Sequence, residues 1–166
     1  MMKNDPHVAL RRSARALILN GQNQLLVFER TRQNTIFSKL HHYYSIPGGG
    51  MDAGETPEQA VVRELKEEML IDIVPERFVI RQFDHEHGRE NNYFLVRIVS
   101  GTPTFNPESE EALSKRYFRH NSFEIAWVDL DSPLLDHHKA YRQVADQIRE
   151  WIERDTFPAL PVDMTV

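Results

Sequence analysis

Three glutamates in the middle of the chain are spaced so that a single helix would present them together. Glu67 and Glu68 follow Glu64 by three and four positions, so at helical spacing the three fall within about a quarter-turn. Their mutual repulsion costs about 0.2–0.5 kcal/mol per pair. A bound hard cation would reverse it, because carboxylate oxygens are the ligands that Mg²⁺ and Mn²⁺ prefer. The spacing alone fits either a metal site or a solvated acidic face that Arg63 partly balances.

The residues ahead of the glutamates specify where this helix begins. Thr56 is a favourable N-cap residue, Pro57 suits the first helical position, and Gln59 completes a Thr-x-x-Gln capping box. The sequence therefore predicts a helix from Pro57 onward. The preceding Gly48–Gly50 segment predicts a turn whose backbone N–H groups can approach an anion. Glu55 is either a metal ligand or a local hydrogen-bond acceptor that shapes the loop.

The stretch from Gly49 to Ile71 resembles the Nudix box of the Nudix hydrolases, a pattern usually written Gx5Ex7REUxEExGU. It departs from that pattern only at Leu70, which stands where the pattern has glycine. A match at this many fixed positions is far more specific than a lone glycine motif. The matching positions are Gly49, Glu55, Arg63, Glu64, Leu65, Glu67, Glu68 and Ile71. Because a left-handed C-cap residue is common at a helix end, Leu70 should cost about 1 kcal/mol if that conformation persists.

The resemblance implies an α/β fold, the Nudix α/β/α sandwich with a mixed central sheet, in one domain over residues 1–166 with its core at about 12–155. It also implies hydrolysis of a pyrophosphate bond in a nucleoside diphosphate linked to another moiety. Glu64, Glu67 and Glu68 would hold Mg²⁺, or Mn²⁺, and Glu64 would act as metal ligand or general base. Arg63 would orient a glutamate rather than touch the substrate. The residues expected to bind the phosphates are Gly48, Gly49, Gly50 and Glu55.

Two features of such a site lie beyond the box. In the family a further acid often completes the metal site or acts as base, and Glu110, Glu111 and Glu124 are equal candidates here. Subfamilies carry markers after the box, a proline for the ADP-ribose class and a tyrosine for the dinucleoside polyphosphate class. The corresponding window, residues 87–89, has neither. A nucleoside triphosphate and a nucleotide sugar both stay open as substrates.

The composition of the chain limits its expected binding partners and its expected cellular compartment. The 166 residues have a formal net charge of −5 with acids and bases interspersed, which gives no overall attraction to nucleic acid or anionic membranes. The chain has no cysteine, so disulfides and zinc thiolate sites are excluded. No segment approaches the roughly 18 apolar residues of a membrane span, and the N-terminus lacks an apolar run of signal-peptide length. The expectation is a soluble, cytoplasmic protein.

Hydrophobic periodicity and turn residues predict the remaining elements. Arg11, Arg12 and Arg15 are expected at a solvated edge, and Trp127 in the core. An apolar stripe predicts a final helix, His137–Arg154, that packs on the sheet or serves a homodimer. The other expected elements are a hairpin over residues 14–29, a loop over 30–42, a strand at 43–46, a strand at 71–74 that Pro75 ends, a hairpin over 78–99, a short helix near 110–117, a strand over 123–130 and an irregular tail.

Three hypotheses for function follow from this reading. The first is a metal-dependent pyrophosphohydrolase. The second is a Nudix domain that senses a nucleotide without hydrolysing it, although the intact Glu64, Glu67 and Glu68 argue against it. The third is a purely structural acidic domain. Nucleotide cleavage with Mg²⁺, or binding without cleavage, would distinguish them.

Overall fold

The computed structural model describes residues 9–34, 39–109 and 122–166, and for residues 30, 32–34, 39–42 and 122–123 it describes the backbone alone. Within these ranges the chain forms two β-sheets, two α-helices and a short 3₁₀ helix. The helices are α1 (Pro57–Met69), α2 (Lys139–Glu153) and the 3₁₀ helix Pro133–Leu135. The strands are β1 (Arg11–Leu17), β2 (Leu25–Asn34), β3 (Lys39–Ser45), β4 (Gly48–Gly50), β5 (Asp72–Asp84), β6 (Arg89–Ser100), β7 (Ser122–Val128) and β8 (Val162–Thr165).

The larger sheet is mixed, with five strands in the order β4-β1-β6-β5-β8. Strand β1 runs parallel to β6 and antiparallel to β4, while β5 runs antiparallel to β6 and parallel to β8. The smaller sheet is antiparallel, in the order β3-β2-β7. Strand β1 therefore lies directly beside the glycine strand β4, which leads along the chain to the acidic helix.

Two hydrophobic clusters form on opposite sides of the mixed sheet, and each includes one helix. Leu65 of α1 belongs to the same cluster as Ala16, whereas Ile148 of α2 belongs to the same cluster as Leu17. Neighbouring residues of β1 thus enter opposite clusters, as the two-residue period of a strand requires. This arrangement confirms the α/β/α sandwich with a mixed sheet.

Local chemistry sets the start of α1, as predicted. The Thr56 side chain accepts a hydrogen bond from the Gln59 N–H at 3.2 Å, and Gln59 Oε1 accepts one from the Thr56 N–H at 2.9 Å. Pro57 occupies the first helical position. The buried apolar residues of the helix are Ala60, Val61, Leu65 and Met69. This apolar face fixes the rotation of α1 about its axis and so decides where its glutamates point.

Leu70 keeps the left-handed conformation that glycine adopts readily. It is the C-cap of α1, with φ 57° and ψ 30°, and its N–H donates to the Lys66 carbonyl. A residue with a Cβ pays roughly 1–2 kcal/mol in this region. The Leu70 side chain is 50% exposed, so burial offsets little of that cost. The departure from the box is therefore a local strain at the helix exit.

Two expectations about the N-terminal half are wrong. The loop expected over residues 30–42 is contradicted in the described part of that range, because β2 continues to Asn34 and β3 begins at Lys39 as its antiparallel partner. Strands β1 and β2 do not form a hairpin ladder. They enter different sheets and are joined by a single bridge between Leu19 and Leu25. Pairing with distant strands supplies the backbone hydrogen bonds here, and local sequence does not reveal it.

Further expectations fail for similar reasons. Strand β5 does not end at Pro75 but runs through it. A register shift between Pro75 and Arg77 accommodates the missing N–H on the β6 side. On the other side, β8 pairs with Ile80–Phe83 and so does not need a donor at Pro75. The C-terminal tail contributes β8 instead of being irregular, and Trp127 is 40% exposed instead of lying in the core. The Gly48–Gly50 segment is a strand rather than a turn.

The expected hairpin after Pro75, the strand near residues 123–130 and the final helix are confirmed as β5–β6, β7 and α2. The expected short helix near 110–117 lies outside the described residues. Among the residues described, no helix is long and apolar enough to cross a membrane.

Replacing Leu70 with glycine should stabilise the protein. We expect Leu70→Gly to raise the free energy of unfolding by about 1 kcal/mol, because glycine removes the Cβ that is strained at this φ. Urea denaturation monitored by circular dichroism measures the change. Leu70→Ala is the matched control, since alanine removes the exposed side chain but keeps the Cβ. An equal gain in Leu70→Ala would contradict the strain explanation.

Candidate active site

An open cavity of about 320 Å³ lies where α1 faces strand β4 and the residues after it. Glu64, Glu67 and Glu68 all line this acidic cavity, so the fold does bring the three glutamates of the box to one place. The other lining residues are Gly49, Gly50, Met51, Asp52, Arg63 and Ser109. The cavity is accordingly dominated by carboxylates, with one guanidinium among them.

Arg63 joins the elements that surround the acidic cavity. Its Nε and Nη2 donate to the two carboxylate oxygens of Glu55, each at 2.9 Å, which is a bidentate pair. Its Nη1 donates to Glu64 at 2.8 Å and to Glu67 at 3.2 Å. Its Nη2 also donates to the Gly50 carbonyl at 2.9 Å. One side chain thus ties α1 to β4 and to the loop between them.

The carboxylates around Arg63 differ in how readily they hold a proton. Hydrogen bonds from Arg63 and from the Asp52 N–H hold the pKa of the Glu55 carboxyl below its usual range. The bond to Glu55 in turn raises the pKa of the Arg63 guanidinium. Burial raises the pKa of the Glu64 carboxyl, and the charge of Glu67 adds to this effect, although Arg63 opposes it. Glu55 is therefore a fixed anion, while Glu64 is the better proton acceptor.

The glycines of β4 make room for the protein's own backbone and carboxylates. A Cβ on Gly48, whose φ is 125°, would lie 2.1 Å from the Ala14 carbonyl oxygen of the paired strand. A Cβ on Gly49 would lie 2.4 Å from Glu64 Oε2. The Gly48 N–H donates to Glu68 Oε2 at 3.3 Å, and Glu68 is only 5% exposed. The role of these glycines toward phosphate stays a prediction.

The end of α1 that bears Glu67 and Glu68 is held by a distant part of the chain. The Asn106 N–H donates to the Glu68 carbonyl at 2.8 Å, and Asn106 Nδ2 donates to the Glu67 carbonyl at 2.7 Å. These bonds satisfy carbonyls that the last helical turn leaves without partners. Sequence reasoning missed Asn106, because its contacts with the helix join residues about 40 positions apart in the chain. It also missed Ser109, which lines the acidic cavity and donates to the Asn106 carbonyl, because no local pattern marks it.

A second cavity, of about 390 Å³, adjoins the first and shares Gly49 and Gly50 with it. The rings of His138 and Tyr141 stack at one side, with centroids 4.4 Å apart. Burial lowers the pKa of the His138 imidazole. The residues that line this aromatic cavity are Arg15, Tyr43, Tyr44, Ser45, Gly48, Gly49, Gly50, His137, His138 and Tyr141. The strand β4 therefore separates a carboxylate-lined cavity from a ring-lined one.

The prediction that Arg15 belongs to a solvated edge is wrong. Arg11 and Arg12 are exposed, but Arg15 is half-buried and lines the aromatic cavity. Within the described part of the chain, Arg15 Nε, Ser45 Oγ and His138 Nδ1 are buried without a hydrogen-bond partner. Alternation along β1 turns Arg15 inward, which the run of three arginines in the sequence did not reveal.

Of the three candidate acids outside the box, only one can be placed. Glu124 is exposed on β7 and does not line either cavity. Glu110 and Glu111 lie outside the described residues. All three stay predictions.

The acidic cavity has the donor chemistry for a divalent cation. In the described ranges no three histidine, aspartate or glutamate side chains converge closely enough to hold a metal ion. Instead, Glu64 and Glu67 turn to Arg63, and Glu68 turns to the Gly48 N–H. Three carboxylates nevertheless line one cavity, and hard oxygen donors of this kind fit Mg²⁺ or Mn²⁺.

Comparison with known proteins agrees with the fold. The family model of the NUDIX domain matches residues 9–151. An ADP-ribose pyrophosphatase structure from Streptococcus suis is 21% identical with a TM-score of 0.56, covering 94% of this chain and 98% of its own. A NUDIX hydrolase structure from Nitrosomonas europaea is 14% identical with a TM-score of 0.62, covering 96% and 80%. A MutT NUDIX hydrolase structure from Burkholderia pseudomallei is 24% identical with a TM-score of 0.54, covering 83% and 97%.

The chain therefore belongs to the NUDIX family, since the family model spans most of its length. This confirms the resemblance drawn from the box, and with it the class of enzyme, a NUDIX pyrophosphohydrolase. At these identities the solved structures bear on the fold alone.

A glycine series in β4 tests how the site is packed. In Gly49→Ala the new Cβ should displace the flexible end of Glu64, so we expect Mn²⁺ affinity to fall by about 10- to 100-fold while the fold is kept. In Gly48→Ala the Cβ meets backbone, so we expect a large loss of thermal stability instead. Electron paramagnetic resonance of Mn²⁺ and thermal unfolding measure the two effects.

Gly50→Ala is the control for this series, because a Cβ there meets no atom of the described residues within 4 Å. It should change both Mn²⁺ affinity and stability least. Equal losses of Mn²⁺ affinity in Gly49→Ala and Gly50→Ala would contradict the packing of Gly49 against Glu64.

Proposed function

We propose that this protein hydrolyses a pyrophosphate bond in a nucleoside diphosphate linked to another moiety, of the nucleoside triphosphate or nucleotide sugar type, with Mg²⁺ as cofactor. The observation that supports it most is that Glu64, Glu67 and Glu68 line a cavity directly beside a ring-lined one. The carboxylate-lined cavity on one side of β4 would therefore suit metal-bound phosphates, and the ring-lined cavity on the other side would suit a base. The name of one solved relative, ADP-ribose pyrophosphatase, agrees with cleavage of a nucleoside diphosphate linked to another moiety.

The roles proposed for the acidic residues follow from their surroundings. Glu64, Glu67 and Glu68 would hold the divalent cation, which members of this family generally use. When bound, the cation would neutralise the charge of the diphosphate and make a water molecule more acidic. Burial raises the pKa of the Glu64 carboxyl, which suits it to accept the proton of the attacking water.

Arg63 is proposed to orient Glu64 and Glu67 rather than to bind substrate. Its guanidinium is engaged by Glu55, Glu64, Glu67 and the Gly50 carbonyl at once. Because its donors are used in this way, the Arg63 side chain would hold the carboxylates of Glu64 and Glu67 in place. Glu55 would act as the fixed anion that keeps the guanidinium in place, and Gly49 and Gly50 would border the phosphate path.

The aromatic cavity is proposed to hold the base of the nucleotide. Tyr43, His138 and Tyr141 line it, and stacking of a base on an aromatic side chain is worth about 1–3 kcal/mol. The shared rim at Gly49 and Gly50 would let a diphosphate pass from this cavity to the carboxylates. A binding role without hydrolysis is the second candidate, because the aromatic cavity alone would suffice for it.

Turnover of a nucleotide panel tests the proposal. We expect the protein with Mg²⁺ to release a nucleoside monophosphate and a phosphorylated remainder from at least one nucleoside triphosphate or nucleotide sugar. Chromatography and ³¹P NMR identify the products. Glu68→Gln should lower kcat by about 10²–10³-fold, because a neutral amide replaces a carboxylate proposed to hold the divalent cation that acts on the phosphates.

Glu76→Gln is the matched control for this assay, since Glu76 is exposed, pairs with Arg97 and lies outside both cavities. This variant should cleave the nucleotide with the same kcat as the unmodified protein. Tight nucleotide binding with no cleavage of any substrate would favour the sensing domain and refute the enzyme proposal.

Truncation of a ring tests the base site. Tyr43→Ala should raise KM for the best nucleotide by about 5- to 100-fold, because it removes a stacking surface from the aromatic cavity. Tyr43→Phe keeps the ring and should leave KM within about twofold. Steady-state kinetics measures both. An unchanged KM in Tyr43→Ala would place the base elsewhere.

A further inference from the structure

Arg15 has contacts that differ from those of an ordinary surface arginine. It lies on β1 directly opposite Gly48 of β4. Its Nη1 donates to the Ile46 carbonyl at 2.9 Å and to the Gly48 carbonyl at 3.0 Å. These two carbonyls stand on either side of Pro47, so one donor group clamps the short segment where β3 gives way to β4.

The surroundings of Arg15 are unfavourable for stability alone. No carboxylate forms a hydrogen bond with it in the described part of the chain, and its buried Nε has no partner there. A buried donor without a partner costs about 1–3 kcal/mol. A neutral residue of similar length would avoid that cost. The presence of a charged group at this position therefore needs a reason beyond packing.

The backbone of Gly48 connects Arg15 to the acidic cavity. Its carbonyl accepts from Arg15, and its N–H donates to Glu68 Oε2 at 3.3 Å. Gly48 has a φ of 125°, which glycine permits but does not favour over other conformations, so contacts with its neighbours hold it there. Arg15 fixes it from the side of the aromatic cavity, and Glu68 meets it from the acidic side.

We infer that Arg15 is a positioning residue: it clamps the Gly48 backbone, which in turn sets the carboxylate of Glu68 in the acidic cavity. This rests on the proposed function only insofar as Glu68 is a metal ligand. Electrostatics support the same link. Burial lowers the pKa of the Arg15 guanidinium, but the surrounding acidic groups outweigh burial and leave that pKa raised; in order of effect they are Tyr141, Tyr93, Glu68 and Glu64.

Two substitutions separate the clamp from the charge. Arg15→Met removes both, and Arg15→Lys keeps the charge but cannot reproduce the planar donor fork. The first readout is Mn²⁺ binding followed by electron paramagnetic resonance. The second is amide hydrogen exchange of Gly48 in the metal-free protein, measured against the amide of the core residue Ile80.

Arg142 provides a matched control within the chain. Like Arg15 it is half-buried, donates to two backbone carbonyls, those of Leu130 and Ser132, and has a buried Nε without a partner among the described residues. Unlike Arg15, it also pairs with a carboxylate, that of Asp146, at 2.8 Å. It lines neither the acidic nor the aromatic cavity. Arg142→Met therefore reports what the loss of a purely structural arginine does.

We expect Arg15→Met to weaken Mn²⁺ binding by about 10- to 100-fold, as loss of a partner behind a metal ligand does. The Gly48 amide should exchange about 10-fold faster relative to Ile80. Arg15→Lys should recover less than half of the lost Mn²⁺ affinity, because the clamp and not the charge alone sets Glu68. Arg142→Met should change neither readout beyond its effect on global stability.

Wild-type Mn²⁺ affinity in Arg15→Met, or equal acceleration of Gly48 and Ile80, would overturn the inference. Full recovery of both readouts by Arg15→Lys would also overturn it. If Arg15→Met does not fold, Arg15→Lys decides through the Gly48 amide. These readouts need no turnover, so failure of the nucleotide panel with intact Gly48 coupling would refute the proposed function alone.

Discussion

The site depends on the Arg63 side chain, which offsets the mutual repulsion of three carboxylates. Glu55, Glu64 and Glu67 all hydrogen-bond to the guanidinium of Arg63, and Glu55 does so with both oxygens. Glu64 and Glu67 lie three positions apart on α1, and like charges at that spacing destabilise a helix. The guanidinium turns that repulsion into attraction. It also fixes which acid stays ionised, because it lowers the pKa of Glu55 while burial raises that of Glu64.

The short strand β4 is the second constraint, since both cavities are built against it. Its glycines let β1 approach on one side and Glu64 approach on the other, and neither approach leaves room for a Cβ at Gly48 or Gly49. A polar group of β4 therefore contacts the site directly: the Gly48 N–H meets Glu68. The glycines at these two positions therefore admit the protein's own backbone and the Glu64 carboxylate.

The exit of the helix shows how much local strain the fold tolerates. Leu70 holds a left-handed conformation at a cost of roughly 1–2 kcal/mol. The same turn is held from outside by Asn106, which binds the Glu67 and Glu68 carbonyls. Because tertiary hydrogen bonds fix the backbone there, the missing glycine changes the energy of the exit and leaves the glutamates in the cavity.

The sequence by itself determined the features that depend on residues only a few positions apart in the chain. The capping box at Thr56, the apolar face of α1 and the order of the box residues all follow from spacing of one or two helical turns. It also determined the family, because a long pattern of fixed positions is specific. The strands beyond residue 155 and between 30 and 42 were missed, since a strand is stabilised by a partner that can lie anywhere in the chain.

Only the tertiary structure decided which residues surround the acidic helix. Arg15 precedes Glu68 by about fifty positions, yet it binds the Gly48 backbone that donates to the Glu68 carboxylate. Asn106 follows Glu68 by about forty positions, yet it binds the Glu68 carbonyl. His138 arrives at the other side of β4 from still further along the chain. Sheet pairing brings such groups together through backbone hydrogen bonds, which every residue can accept and every residue but proline can donate. The chemistry of the site is therefore readable from one local stretch, whereas its geometry is set by pairings that leave no local signature.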